Sequence, residues 1–373
     1  MSELLNTNID ERRMRRQLLA TASALALTSY VASVDFAKAE DRDHPAVWIE
    51  FGGQLEAMQG ASKPFSAPFM FPDTVPDVYG EQTFAWKQKA PRFSFGGEGK
   101  ITVQPQGSDW VFLAAIRFGR SNSKKHTHYQ GPQALYVYPS YPSSAGLNRY
   151  AAPFSDTLVP QSETHAIVDF AVGKDVGLGM LGPNSDSQFS AGVRLAEYSI
   201  RSTTSIYARP DVGFAGKYAD FYQYALNGQT KRNFHGIGPS LSWNASAALL
   251  GNADGGELTL DWGINGAVLF GRQRADVQHT TSAYHFIGNR PRRQGRNVPL
   301  YTHAYSTSRS RSVTVPNLGG FAGISMRKAN AKVSLGYRAD FFFGAMDTGI
   351  DARRTSDLGF HGPFATISIG LGG

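Results

Sequence analysis

The sequence predicts an all-β fold, a transmembrane antiparallel up-and-down β-barrel of about ten strands with room for twelve. Three observations predict it. Ten stretches alternate apolar and polar residues with the period of two that marks a strand with one apolar face. The connections between them alternate long and short, and the amino-terminal residues read as an export signal. Composition excludes the competing classes. Of 373 residues, 41% are hydrophobic, 18% charged and 12% aromatic, which suits neither a disordered chain nor a coiled coil. Beyond the export signal, no apolar run approaches the roughly 18 residues that a membrane helix needs. Cysteine is absent, so thiolate metal sites, thiol nucleophiles and disulfides are excluded together.

Residues 1–39 are the expected signal peptide. Arg12, Arg13, Arg15 and Arg16 form a positive start, Leu18 to Val34 an apolar stretch, and Ala37-Lys38-Ala39 a small-x-small cleavage pattern. An uncleaved anchor is the alternative. Arg15-Arg16-Gln17-Leu18-Leu19 also resembles a twin-arginine signal, which carries folded cargo, whereas a barrel must cross unfolded. The choice between the two export routes stays open. Residues 40–373 then form one outer-membrane barrel domain.

The ten segments lie near 46–58, 92–104, 109–119, 164–173, 187–199, 234–246, 256–272, 317–328, 331–344 and 363–372. The seventh shows the alternation best. Leu258, Leu260, Trp262, Ile264, Val268 and Phe270 share one face, and Glu257, Thr259, Asp261 and Asn265 the other. Charges keep to the second face throughout, as Glu50, Glu98, Lys100, Arg117, Asp169, Arg194, Asp261, Arg338 and Asp340. A lipid-facing Arg or Lys at the midplane costs about 2–4 kcal/mol, while a lumen tolerates it. A soluble sandwich also segregates charge, so the loop rhythm decides between them. Odd connections are long and even ones short, the pattern of external loops and periplasmic turns with both termini on the periplasmic side. Gln106-Gly107, Ala253-Asp254-Gly255 and Ala329-Asn330 supply turn residues at the short ends. Trp48, Phe93, Trp110, Phe118, Trp243, Phe270, Tyr337 and Phe343 lie near segment ends, where aromatic girdles belong.

Three runs carry a family resemblance. They are His165-Ala-Ile-Val-Asp-Phe-Ala-Val-Gly-Lys-Asp-Val-Gly-Leu-Gly179, Phe234-His-Gly-Ile-Gly-Pro-Ser-Leu-Ser-Trp243 and Gly336-Tyr-Arg-Ala-Asp-Phe-Phe-Phe-Gly-Ala-Met-Asp347. These resemble the Legionella-type major outer-membrane protein family over the strands of roughly the last two thirds of the chain. The resemblance implies a pore-forming barrel of the Gram-negative outer membrane and assigns no catalytic residue. The final strand departs from the usual barrel pattern, since it ends in Leu371-Gly-Gly373 rather than in an aromatic.

The nine charged positions are the candidate pore lining, although the same groups could pair with one another and plug a narrow barrel. Inward Gly192, Gly236, Gly238 and Gly336 argue for open volume. The long connections hold 20 Lys and Arg against 10 Asp and Glu, most densely over 273–316. There Arg290, Arg292, Arg293, Arg296, Arg309 and Arg311 form an expected basic external loop that would gather anions or bind lipopolysaccharide phosphates.

The expectation is a non-enzymatic, porin-like pore for small hydrophilic solutes or ions with a mild anion preference. The alternative is a closed barrel with an adhesion, scaffold or lipopolysaccharide-binding role through its loops. A soluble exported sandwich is the third reading. Expected partners are outer-membrane lipid, lipopolysaccharide, the barrel-assembly machinery and small solutes, with no nucleic acid, no cofactor and an open oligomeric state. His126, His128, His279, His285 and His303 match no zinc spacing, and no metal site is expected. No nucleophile elbow or complete phosphate loop occurs; Gly96-Gly97-Glu98-Gly99-Lys100 imitates only part of one.

Overall fold

The computed structural model describes residues 47–59, 93–105, 108–130, 134–135, 150–151, 154–175, 185–209, 213–215, 218–252, 255–287, 296–350 and 352–371. The signal peptide and Arg290, Arg292 and Arg293 lie outside them, as do Gln106-Gly107 and Ala253-Asp254. Ten strands build the fold: β1 Val47–Gln59, β2 Ser94–Val103, β3 Trp110–Gln130, β4 Phe154–Asp175 and β5 Ser185–Arg209. The second half follows as β6 Tyr218–Asn252, β7 Gly256–Ile287, β8 Arg296–Lys328, β9 Ala331–Asp347 and β10 Thr355–Leu371. Each pairs antiparallel with its neighbours in sequence, and β10 closes on β1 from Val47–Leu371 to Gln59–Gly359. Ala134–Leu135 pairs with Tyr150–Ala151 in a separate small sheet, and the short piece Gly213–Ala215 adds to the outer end of β6. The described strands number ten in the ring, not twelve.

The lipid phase expected from alternation is present. Ile264, Val268 and Phe270 are exposed on the outer wall, while Thr259, Asp261, Ala267 and Leu269 are buried inside. At a tilt of about 40°, Leu258 to Phe270 covers roughly 30 Å, the thickness of a hydrocarbon core. Above Phe270 the outer wall turns polar. The first outward residues there are Arg120 on β3, Thr164 on β4, Glu197 on β5, His235 on β6 and Arg272 on β7. We take this ring as the outer boundary of the membrane-spanning segments. Phe93, Trp110, Phe118, Phe270 and Phe343 are exposed near the band edges, whereas the exposed Tyr337 lies inside the band on β9.

Strand length is the main correction to the sequence reading. Residues 200–233 and 273–316, expected as loops, are largely strand: β6 has 35 residues, β7 has 32 and β8 has 33. Above the membrane both faces of a strand meet water or polar groups, so Ser, Thr, Gln and His occupy either face and the period of two disappears. Consequently Arg296 begins a strand, and Arg309 and Arg311 lie within β8 rather than in a loop.

The tight end between β8 and β9 keeps the expected two-residue turn, with Lys328 opposite Ala331 and Ala329 at φ +47°. The inward glycines do a different job from the expected one. A Cβ at Gly192 or Gly238 would overlap the backbone of the adjacent strand, and one at Gly236 would overlap the Phe234 ring. They let strands approach closely and rings lie flat against the wall.

Replacing Ile264 and Val268 together with Arg should block assembly, at about 2–4 kcal/mol per midplane charge. Gln278→Arg, outward but above the band, should assemble normally. Heat-modifiable migration of the outer-membrane fraction distinguishes them, and a folded Ile264→Arg/Val268→Arg protein would contradict the assigned lipid face.

Candidate functional site: the barrel lumen

The interior is organised in three levels. In the membrane-spanning half, alternation delivers one charged side chain from most strands, and all nine candidate residues project inward. They do not stand separately around a channel. Arg117 on β3 reaches across to Asp340 on β9 at 2.5 Å, and its other terminal nitrogen lies 3.9 Å from Asp169 on β4. Arg194 on β5 grips Asp169 with two bonds, Nε to Oδ1 at 2.6 Å and Nη2 to Oδ2 at 3.0 Å. Its Nη1 donates to Asn265 on β7 at 2.7 Å and also to Asn317 on β8. Arg338 on β9 bonds Glu98 on β2, and its guanidinium stacks 4.6 Å from the Phe364 ring. Lys332 meets Asp261 at 2.6 Å, and Lys100 lies 4.0 Å from Glu50. These five cations and five carboxylates balance. All of them but Asp340 line a cavity of about 330 Å³.

Above that lattice the lumen is apolar. Tyr198 on β5, Phe234 on β6, Leu269 on β7, Val315 on β8, Phe342 on β9 and Leu358 on β10 are wholly buried in one cluster. Tyr198 contacts Phe342 edge-on at 4.8 Å and stacks on Phe360 at 5.5 Å, so the layer spans the barrel from β5 to β9 and β10. Sequence reasoning missed these residues because it assigned the inward face to polar groups. The run Phe341-Phe342-Phe343, apolar on both faces, was the available signal.

On the β1 to β4 side, the same level is polar. His165 lies 3.3 Å from Glu56, and its ring packs 4.1 Å from Phe360. A Cβ at Gly96 or Gly119 would overlap the Glu56 carboxylate, so these glycines make its space. Just above, Glu163 is 1% exposed, and among the described residues neither carboxylate oxygen has a hydrogen-bond partner. Burial, and secondly the Glu56 carboxylate, push the Glu163 carboxyl up from 4.5 to about 8.

The third level holds the β9–β10 connection, which turns into the barrel. Arg309 contacts Asp347 at 3.3 Å and donates to the carbonyls of Ile350 at 2.7 Å and Gly349 at 2.8 Å. Arg232 donates to the Thr348 carbonyl at 3.1 Å. Burial pulls its guanidinium down to about 10, with Asp347 opposing that shift. Arg311 joins Gln273 at 3.0 Å and Thr355 at 3.1 Å. Ile350 packs on Ile206, Leu226 and Val277. Two residues expected in an external basic loop are thus internal clamps, and His126 pairs with Asp156 at 2.5 Å.

An all-β ring with an apolar belt and a charged, filled interior defines an outer-membrane-type β-barrel. The family model for the Legionella pneumophila major outer membrane protein precursor matches residues 123–370, and the chain belongs to that family. It is accordingly a protein of the outer membrane. No curated relative matches. Among solved structures, the CymD monoaromatic hydrocarbon channel aligns over 88% of this chain and 90% of its own, at 8% identity and a TM-score of 0.22. The Ralstonia pickettii toluene transporter TbuX covers the same shares at 9% identity and a TM-score of 0.19. The AIDA-I autotransporter transport unit from Escherichia coli aligns over 94% and 98%, at 9% identity and 0.18. Likenesses this slight carry no argument, and the family assignment stands on the sequence match.

Glu163 sets a pH dependence. Its folded value lies above the ordinary one, so no penalty exists below about pH 4.5, and stability falls as pH rises towards about 8. Glu163→Gln should match the parent protein at about pH 4.5 and below. In mild alkali it should be more stable, on the order of 2–4 kcal/mol. Thermal unfolding across that range checks this, and parallel profiles would mean that Glu163 titrates as a solvated carboxyl.

Proposed function

We propose that the protein is a narrow, gated outer-membrane channel for small hydrophilic solutes and ions, exported by a signal peptide cleaved after Ala39. The balanced charge lattice around its internal cavity carries this reading. A barrel meant only to be closed is stabilised at least as well by apolar filling, because burying ion pairs costs much of what their attraction returns. Ten ionised groups inside the membrane segment therefore fit a path that solutes enter. Guanidinium and carboxylate groups can exchange their mutual bonds for bonds to water and solute as these pass. The aromatic layer and the inward-turned β9–β10 connection then act as the gate, held by Arg232, Arg309 and Arg311.

A mild anion preference follows from the outer level. The lattice is neutral, but above the aromatic layer Arg232, Arg309 and Arg311 face Asp347, leaving the named inward groups cationic. The field of a positive vestibule concentrates anions and weakens as salt screens it. The apolar layer also favours a second reading, a permanently closed barrel that works through its exterior.

Planar-bilayer recording on refolded protein separates the two. The parent protein should give small, infrequent steps, and Phe342→Ala with Phe360→Ala should raise conductance or open time several-fold. Arg309→Gln with Arg311→Gln should lower the anion-to-cation permeability ratio at low salt. If the Phe342→Ala/Phe360→Ala barrel is folded and silent, the channel reading fails and the closed barrel stands.

A further inference from the structure

The outer wall of β4 to β8 carries a groove of about 860 Å³ at the outer membrane boundary. Its lower part is apolar, with Val168, Leu195, Ile237 and Phe270, and its upper part carries His235 and Arg272 together with the Glu197 carboxylate. These residues are adjacent across strands, since Glu197 pairs with His235 and His235 with Arg272. Directly above is a second groove of about 740 Å³, containing Lys124, Arg201 and Lys231. Arg201 on β5 sits directly opposite Lys231 on β6, and both side chains are exposed. Like charges at a directly opposed pair destabilise a sheet. The nearest carboxylate in register, Asp276, stands opposite Lys231 and lines the same groove, but its hydrogen bonds go elsewhere. It is taken by Arg274, with both oxygens 3.1 Å from Nε, and by the Ser308 hydroxyl at 2.6 Å.

We propose that this wall is a binding site for an acylated, phosphorylated glycolipid of the outer leaflet, the chemistry of lipopolysaccharide. Acyl chains lie on Val168, Leu195, Ile237 and Phe270. One phosphate meets Arg272 and a second bridges Arg201 and Lys231. Lys231 is in register with Asp276, so the two cationic stations are four strand residues apart, about 13 Å. A ligand with two separated anionic groups above a hydrocarbon body matches that layout, and a dianionic phosphate relieves the Arg201–Lys231 repulsion. Here the cations are strand residues held at fixed spacing. The site is on the outside of the barrel and independent of whether the lumen conducts.

The test uses full-length refolded protein in detergent micelles, titrated with bisphosphorylated lipid A, with its dephosphorylated form and with inorganic phosphate. Thermal unfolding and retention of lipid through size exclusion are the readouts. Bisphosphorylated lipid should bind at least about tenfold more tightly than the dephosphorylated form, and high salt should remove the difference. Arg201→Ser with Lys231→Ser should abolish that preference while leaving folding and bilayer conductance unchanged. Equal binding of both lipids, or full binding by the Arg201→Ser/Lys231→Ser protein, would overturn the proposal. So would inorganic phosphate alone raising the unfolding temperature as much as the lipid, which would mark a free-anion site.

Discussion

Within hydrocarbon no backbone amide can reach water, and every unsatisfied group costs several kcal/mol. All else in this molecule depends on meeting that constraint. It is met by sequential antiparallel pairing around the ring and by the seam between β1 and β10, where Val47 meets Leu371 and Gln59 meets Gly359. Closure converts the period of two into an inside and an outside. Each outward residue must then be apolar over the thickness of the bilayer, and each inward residue must find a partner in a lumen a few side chains wide.

The lumen solves the second demand in two ways at two depths. Within the membrane-spanning half, strands far apart in sequence contribute charges that pair across the barrel, as Arg117 does with Asp340 and Arg338 with Glu98. Higher up, aromatic and aliphatic side chains fill the same width, and the β9–β10 connection folds down onto them. The boundary between levels is where Glu56, His165 and Glu163 lie against Phe360 and the apolar cluster. A carboxyl there has lost water without gaining a hydrogen-bond partner among the described residues, and that burial raises Glu163 above the ordinary carboxyl range.

Much of the fold was legible in the residues. Ile264 and Val268 pointing outward, ten strands, short turns such as Ala329-Asn330 and the family resemblance over the later strands all followed from local pattern. The upper strands were not legible. Outside the membrane no solvent contrast separates the two faces, so Ser199 to Thr204 or Thr302 to Ser308 carry no strand period. The basic cluster expected around Arg309 and Arg311 was a fair reading of charge density but not of direction. In β8 both point into the barrel.

By itself, the sequence determined which residues alternate and which face could tolerate lipid, because those are properties of neighbouring residues along one strand. Only the tertiary structure decided what each inward group meets. Arg117 and Asp340 stand 223 positions apart, and nothing local couples them until closure brings β3 and β9 face to face across the lumen. The same holds for Tyr198 and Phe342, aromatics on faces read as polar. A packed layer is a property of the closed ring, since it exists only where the strands that contribute to it converge.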